Sequence, residues 1–137
     1  MVTLEAILER NNLNRAYKQV KANRGGPGVD GMTVDEFLDY LRAHAVEIVE
    51  TVKAGKYKPQ PVRRVMIPKE EKGKFRPLGI PTAVDRVIQQ AIAQKLSDEY
   101  EPVFSLHSHG FRPCRSCRTA IDEAFDIANQ GYVWVVD

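Results

Sequence analysis

The sequence of 137 residues lacks several features that mark common classes of protein. It has two cysteines, Cys114 and Cys117, which are too few for the disulfide framework of small secreted domains, so we expect both thiols to be reduced. No apolar run approaches the roughly 18 residues of a membrane-spanning helix, and the N-terminus shows no basic-then-apolar signal sequence. These absences predict a cytoplasmic protein without a membrane partner.

The chain as a whole also lacks a large excess of positive or negative charge, because 20 Lys and Arg residues and 18 Asp and Glu residues leave a net charge of +2. The distribution is nevertheless uneven, because residues 53–76 contain nine basic and two acidic side chains. Such a block is typical of a surface that binds phosphates. A solvated basic face without a ligand would give the same count.

Apolar residues at helical spacing predict helices on both sides of a glycine-rich loop. Thr3 opens a short helix, and Asn12 is expected to cap a second one. Four glycines and one proline in residues 24–31 interrupt the pattern and predict a loop with an exposed backbone. Thr33 and Glu36 then form a capping-box pair that begins a third, longer helix.

Residues 57–80 differ in composition from the helices around them. Two runs of β-forming residues on either side of a polar turn predict a hairpin, and Pro77 favours an edge strand because it lacks an N–H donor. Two further helices are predicted over residues 82–101 and 116–130. The apolar face of the first of these comprises Val84, Val87, Ile88, Ala91, Ile92 and Leu96.

A nearly continuous apolar run at residues 132–136 predicts a strand buried on both faces of a sheet. Its sheet neighbours are missing from the predicted elements, so we expect the sequence to be a piece of a longer protein. Asp137 follows this strand, at a position where sheet enzymes often place a functional group. The expected fold class is α+β, with helices around a small antiparallel β-hairpin and an orphan C-terminal strand.

Two other patterns are weaker indications of a site. His107, His109, Cys114 and Cys117 offer four zinc ligands in eleven residues, but a His-x-His pair on an irregular segment seldom satisfies tetrahedral geometry, so we expect no metal there. The glycine-rich loop matches neither the dinucleotide fingerprint nor the P-loop, because no strand precedes it and no Gly-Lys-Ser/Thr follows. It can also be an ordinary connector between helices.

Three motifs in order resemble the N-terminal part of group II intron-encoded reverse transcriptases, also called maturases. Residues 13–31, from Leu-Asn-Arg-Ala-Tyr to Gly-Val-Asp-Gly, are similar to the family's N-terminal extension. Residues 57–69 and the sequence Arg-Pro-Leu-Gly-Ile-Pro-Thr at 76–82 are similar to its first reverse-transcriptase block. The sequence Ser-His-Gly-Phe-Arg-Pro at 108–113 is similar to its second block.

The resemblance implies that residues 1–131 are a fingers domain and that residues 132–137 begin the palm. Within the fingers it implies an N-terminal extension motif over 1–55, the basic hairpin over 57–80, and core helices over 82–101 and 116–130. Asp137 would then be a neighbour of the catalytic aspartate of the palm. The fragment is therefore expected to hold no catalytic residue and no metal, and Mg²⁺ would act only in the full-length RNA-directed DNA polymerase.

The resemblance also implies which residues bind nucleotide and template. The incoming deoxynucleoside triphosphate would be bound by Lys69, Arg76 and Arg112. Template RNA would lie against Arg63, Arg64, Lys72, Lys74, Leu78, Ile80, Gly25, Gly26 and Gly28. Cations suit a polyanion, and flat or apolar side chains suit bases.

The implied partners are group II intron RNA, template RNA and primer DNA, in a bacterial cytoplasm, with the full-length protein assisting splicing and retrohoming. The exposed hairpin edge or the orphan strand could also pair two copies into a homodimer. Two alternatives stay open. One is a stand-alone RNA-binding module, and the other is a reverse transcriptase of a retron, diversity-generating or CRISPR-associated lineage.

Overall fold

A computed structural model describes residues 1–132 and residue 134, and the chain divides into two compact units, Met1–Ser97 and Asp98–Asp137. The strand predicted at 132–136 and the residue Asp137 lie outside the described residues, apart from Tyr132 and Trp134. Helices and one antiparallel hairpin agree with the α+β prediction. In chain order the elements are α1 (Leu4–Ile7), α2 (Arg10–Ala22), α3 (Phe37–Lys53), β1 (Arg63–Pro68), β2 (Phe75–Ile80), α4 (Ala83–Tyr100), a 3₁₀ turn (Glu101–Val103) and α5 (Cys117–Asn129).

Helix starts follow the capping signals in the sequence. Thr3 Oγ1 accepts a hydrogen bond from the Ala6 N–H at 3.2 Å, which confirms the predicted start of α1. The Thr33 N–H donates to Glu36 Oε2 at 2.9 Å, and the Glu36 N–H donates to Thr33 Oγ1 at 3.3 Å, directly before α3. The Thr33 hydroxyl also donates to Glu36 Oε2, at 2.7 Å, and the two bonds that Thr33 donates to this carboxylate lower the pKa of Glu36 because they favour its charged form.

Asn12 has a different role from the predicted one. It lies inside α2, which Glu9 precedes, and it is buried against α4. Its side-chain amide donates to the backbone oxygens of Ile7 at 2.8 Å and Ala91 at 3.0 Å, and its Oδ1 accepts from Gln94 Nε2 at 2.9 Å. The predicted cap is therefore wrong, because three partners in the interior satisfy a buried amide better than one backbone donor at a helix end.

The hydrophobic core of the first unit lies where α2, α3 and α4 meet. Phe37 is fully buried, and its ring centroid is 6.0 Å from that of Tyr17. On α4 the predicted face is confirmed at Val87 and Ala91, which are buried, and is wrong at Ile92 and Leu96, which are 37% and 41% exposed. The buried stripe has residues at i, i+4 and i+8, namely Ala83, Val87 and Ala91.

The second unit contains the end of α4, an irregular segment and α5. Ser116 caps α5, because its Oγ accepts from the Thr119 N–H at 3.3 Å while the Ser116 N–H donates to Thr119 Oγ1 at 3.0 Å. No residue of α5 is buried within the described part of the chain, so the packing of its apolar face stays a prediction. None of the described helices has both the length and the apolarity needed to cross a membrane.

Candidate nucleic-acid interface

The two strands of the hairpin place the predicted binding residues on one face. Arg63 pairs with Ile80, Val65 with Leu78, and Ile67 with Arg76. Paired residues share a face, and successive residues of a strand alternate between faces. Arg63, Arg76, Leu78 and Ile80 therefore project from the same side, and Arg64 projects from the other side. We call the side that carries Arg63, Arg76, Leu78 and Ile80 the basic face of the hairpin.

At the tip of the hairpin, Lys69 and Arg76 line one open cleft of about 480 Å³, together with Pro68, Glu70 and Glu71. The Lys69 N–H donates to the Lys74 backbone oxygen at 2.9 Å, which closes the turn, and Gly73 adopts a left-handed conformation with φ of +81°. The cleft thus brings together Lys69 and Arg76, two of the three residues that the resemblance assigned to the triphosphate.

Lys72 and Lys74 belong to the same turn but do not line this cleft. Lys74 forms an ion pair with Glu71, three residues away. That pair leaves the carboxylate of Glu71 partly neutralised next to Lys69 and Arg76. The cleft therefore has a less negative wall than its two glutamates suggest.

The glycine loop, residues 24–31, packs against residues near the beginning and the end of the hairpin in the chain, Arg63 and Thr82. A Cβ on Gly28 would lie 2.7 Å from Thr82 Cα and 2.8 Å from Thr82 N, closer than side-chain carbons approach backbone. A Cβ on Gly26 would lie 3.4 Å from Arg63 Nη2, so the guanidinium of Arg63 extends along the loop. The structure thus brings the predicted loop residues next to the basic face.

Arg86 is a cation at this place that the sequence did not reveal. A Cβ on Gly25 would overlap Arg86 Nη1, so this guanidinium lies beside the loop. Its Nε and Nη2 atoms are buried and have no hydrogen-bond partner among the described residues. One electrostatic signal in the sequence could have indicated a role for Arg86. A cation near the start of α4 is unfavourable with respect to the helix dipole, so its presence there requires another explanation.

Asp85 connects the start of α4 to the segments on both sides of the hairpin. Its side chain is buried, and its carboxylate accepts hydrogen bonds from Tyr57 Oη at 2.6 Å, Thr82 Oγ1 at 2.7 Å and the Gln60 N–H at 3.1 Å. Burial, together with the hydrogen bond and the negative charge of Asp85, raises the pKa of Tyr57. Tyr57 therefore keeps its proton and remains a donor well above neutral pH.

Arg112, the third residue predicted to bind nucleotide, lies in the second unit and is bound internally. Its Nε and Nη2 donate to the carboxylate of Glu101, with Nη2 to Oε1 at 2.8 Å, and Nη1 donates to the backbone oxygens of Ser105 at 2.6 Å and Ser108 at 2.9 Å. Nη2 also contacts the Glu101 backbone oxygen at 3.4 Å. All five N–H groups of the guanidinium are thus directed at oxygen atoms of Glu101, Ser105 and Ser108.

The irregular segment of the second unit also carries a histidine cluster. Glu123 on α5 binds Nδ1 of His107 with one carboxylate oxygen and Nε2 of His109, at 2.5 Å, with the other. These two hydrogen bonds, His107 first, lower the pKa of Glu123. Cys114 and Cys117 are exposed free thiols, and in the described part of the chain no three ligand-type side chains form a metal site.

Asp137, the predicted neighbour of a catalytic carboxylate, lies outside the described residues. The described surface therefore comprises the basic face, the cleft at its tip and the glycine loop. This surface combines lysine and arginine cations with two apolar side chains and the adjoining glycine loop. Such a combination can bind a sugar–phosphate chain and contact its bases.

Comparison with known proteins supports a common origin with proteins encoded in introns. No family profile matches the chain. It is 44% identical over 106 residues to the group II intron-encoded protein LtrA of Lactococcus lactis, a match that covers 77% of the chain and 18% of LtrA. It is 41% identical over 120 residues to protein YkfC of Escherichia coli, covering 86% of the chain and 31% of YkfC.

A relative from yeast is similar over a comparable share of the chain. The putative COX1/OXI3 intron 2 protein of Saccharomyces cerevisiae is 36% identical over 109 residues, which covers 77% of the chain and 12% of that protein. The chain thus spans less than a third of the length of each of these three relatives.

Proposed function

Because the chain belongs with the group II intron-encoded proteins over most of its length, we propose that it forms the fingers of an RNA-directed DNA polymerase. In this proposal the fingers bind the template RNA and the incoming deoxynucleoside triphosphate. The parent protein also binds its intron RNA and assists splicing and retrohoming.

The observation that carries the proposal is the basic face of the hairpin. Arg63 and Arg76 lie at opposite ends of this face. The apolar residues Leu78 and Ile80 lie on β2, the strand that also carries Arg76. In this arrangement the two cations can contact phosphates while the apolar side chains pack against a base pair. A solvated basic face would have no need of exposed leucine between its arginines, and Leu78 is 44% exposed.

We assign the triphosphate to the cleft of Lys69 and Arg76. The planar guanidinium of Arg76 can grip two phosphate oxygens, and the ammonium of Lys69 adds a compact charge that reaches a third. Arg112 has a supporting role in this proposal: with its donors filled, it holds the segment 105–112 in shape. Template RNA would follow the glycine loop, Arg63 and Arg86, with Arg64, Lys72 and Lys74 adding weaker, exposed charges.

The polymerase reaction requires carboxylates that hold two Mg²⁺ ions. We assign no catalytic step to the residues described, and we expect the purified chain to show no primer extension. Its part in the reaction is to bind, orient and partly desolvate the template and the nucleotide.

Binding of a fluorescent single-stranded RNA across a salt series tests the template assignment. We expect Arg63→Ala to weaken binding and to lower the slope of log K against log salt by about 0.7, because one phosphate contact is lost. The matched control is Arg42→Ala, which removes the same charge from α3, where Arg42 pairs with Asp39 at 3.0 Å on the surface. Equal losses of RNA affinity in the two variants would show that only net charge matters and would refute the assignment of Arg63 to the template.

The triphosphate assignment is tested by NMR titration with a deoxynucleoside triphosphate. Lys69→Ala and Arg76→Ala should each remove the shifts of amide signals at the hairpin tip. Lys72→Ala is the control, since Lys72 lies in the same turn outside the cleft. Nucleotide-induced shifts that survive Lys69→Ala and disappear in Lys72→Ala would overturn the assignment.

A further inference from the structure

The three hydrogen bonds to Asp85 come from both ends of the hairpin. Gln60 and Tyr57 precede β1, and Thr82 follows β2. A two-stranded hairpin has little stability by itself, and its direction depends on how its ends are fixed. One buried carboxylate therefore holds both ends of this hairpin at the first turn of α4.

The same anchor reaches the glycine loop. Thr82 donates its hydroxyl to Asp85, and the Asp85 N–H donates back to Thr82 Oγ1 at 3.2 Å, so the position of Thr82 is fixed by two bonds. The backbone of Thr82 is in turn the surface against which Gly28 packs. A shift of Asp85 would thus move the hairpin and the glycine loop relative to each other.

We propose that Asp85 is a positioning residue, which holds the basic face of the hairpin and the glycine loop in the one arrangement that binds a template strand. The proposal rests on the proposed function for its ligand, a single-stranded RNA. Asp85 is buried and negative, so it contributes no contact to the phosphates and acts only through Tyr57, Gln60 and Thr82.

A simpler role is capping of α4 alone. Thr82 and Asp85 make reciprocal bonds at the helix start, as a capping pair does. The bonds from Tyr57 and Gln60 are not needed for that purpose. Tyr57→Phe therefore separates the two roles, because it retains the cap and removes one bond to the hairpin side.

The first measurement is the distance between spin labels on the full 137-residue chain. Labels at Glu70→Cys in the hairpin turn and Ala43→Cys on α3 report the direction of the hairpin, in a background where Cys114 and Cys117 are serine. We expect a narrow distribution in this background and a broad one in Tyr57→Phe and Asp85→Asn. Asp39→Asn is the control, since it removes the same charge from an exposed position of α3.

The second measurement is affinity for single-stranded RNA at equal folded fraction, checked by circular dichroism. We expect at least about a tenfold loss of affinity for both Asp85→Asn and Tyr57→Phe, the lower end of the scale for one hydrogen bond to a charged group. The slope against log salt should not change, because every phosphate-binding cation is still present. A role confined to folding would leave the affinity of the folded Tyr57→Phe chain unaltered.

A narrow distance distribution or an unchanged RNA affinity in folded Tyr57→Phe would overturn the proposal, even if Asp85→Asn fails to fold. Failure of the unsubstituted chain to bind RNA would instead refute the proposed function. In that case the distance measurement alone decides whether Asp85 positions the hairpin: broadening supports the role, and an unchanged distribution refutes it.

Discussion

Gly28→Ala tests the contact on which the arrangement of the glycine loop depends. The added methyl group would lie 2.7 Å from Thr82 Cα, 2.8 Å from Thr82 N and 3.0 Å from the Pro81 carbonyl carbon. All three are backbone atoms, so no side chain can rotate away to make room. Thr82 is also held by its two bonds to Asp85, which opposes a shift of the backbone.

We expect this substitution to lower the free energy of unfolding by about 2 kcal/mol, the middle of the range for overpacking in a tightly packed position. Gly26→Ala is the matched control two residues away in the same loop. Its Cβ would meet only the mobile end of Arg63, at 3.4 Å. We therefore expect a change within about 0.5 kcal/mol, as for most surface substitutions.

The assay is urea denaturation followed by far-UV circular dichroism, with both variants compared at equal m value. The signal comes mainly from the helices, which include α2, α3 and α4 around the contact. Equal stabilities of Gly28→Ala and Gly26→Ala would mean that the loop does not pack on Thr82, and the reasoning from the close approach would be refuted. A loss of RNA affinity in folded Gly28→Ala is the expected functional counterpart.

Three further predictions concern hydrogen-bonded charges. Because the pKa of Tyr57 is raised, the wild-type chain should lose stability as pH rises above about 10, the ordinary value for tyrosine, whereas Tyr57→Phe should lose less; parallel alkaline unfolding curves would contradict this. Because the pKa of Glu123 is lowered in the folded chain, its hydrogen bonds contribute to stability at pH values above the ordinary pKa of glutamate. This contribution is lost as the pH falls through the pKa of the folded state. The difference in stability between wild type and Glu123→Gln should thus shrink in acid, and a constant difference between pH 7 and pH 3 would exclude it. Arg112→Lys should destabilise the segment 105–112 by about 2 kcal/mol, since lysine cannot donate to the acceptors that the planar guanidinium reaches at once, and hydrogen exchange of that segment as slow as in the wild type would contradict this.

Local signals predicted most of the individual elements. The capping residues Thr3 and Thr33 each accept the bond expected of them, because a cap depends on three or four neighbouring residues. The hairpin was also predictable, since its alternating β-formers and its turn lie within one short segment. The α5 helix was found by the same means, but the burial of its apolar face depends on partners that a local pattern does not contain.

The errors arose where a residue has its partners far away in the sequence. Asn12 was assigned to a cap because asparagine suits one, yet its actual partners, Ala91 and Gln94, lie 79 and 82 positions later. On α4, periodicity identified an apolar helix but not which of two overlapping faces is buried. The core includes the small residue Ala83, which was not predicted and which allows close helix packing, and it leaves the larger Ile92 exposed.

The candidate site shows the same division between local and distant information. The sequence identified the cations of the hairpin and the glycines of the loop separately, but nothing in either segment indicates that they meet. They meet at Thr82, whose hydroxyl is bonded to Asp85 and whose backbone leaves no room for a side chain at Gly28. Thr82→Ser preserves both features and should be tolerated, whereas Thr82→Val keeps the shape but removes the hydroxyl bond. The geometry of the surface therefore depends on a residue that itself contacts no ligand.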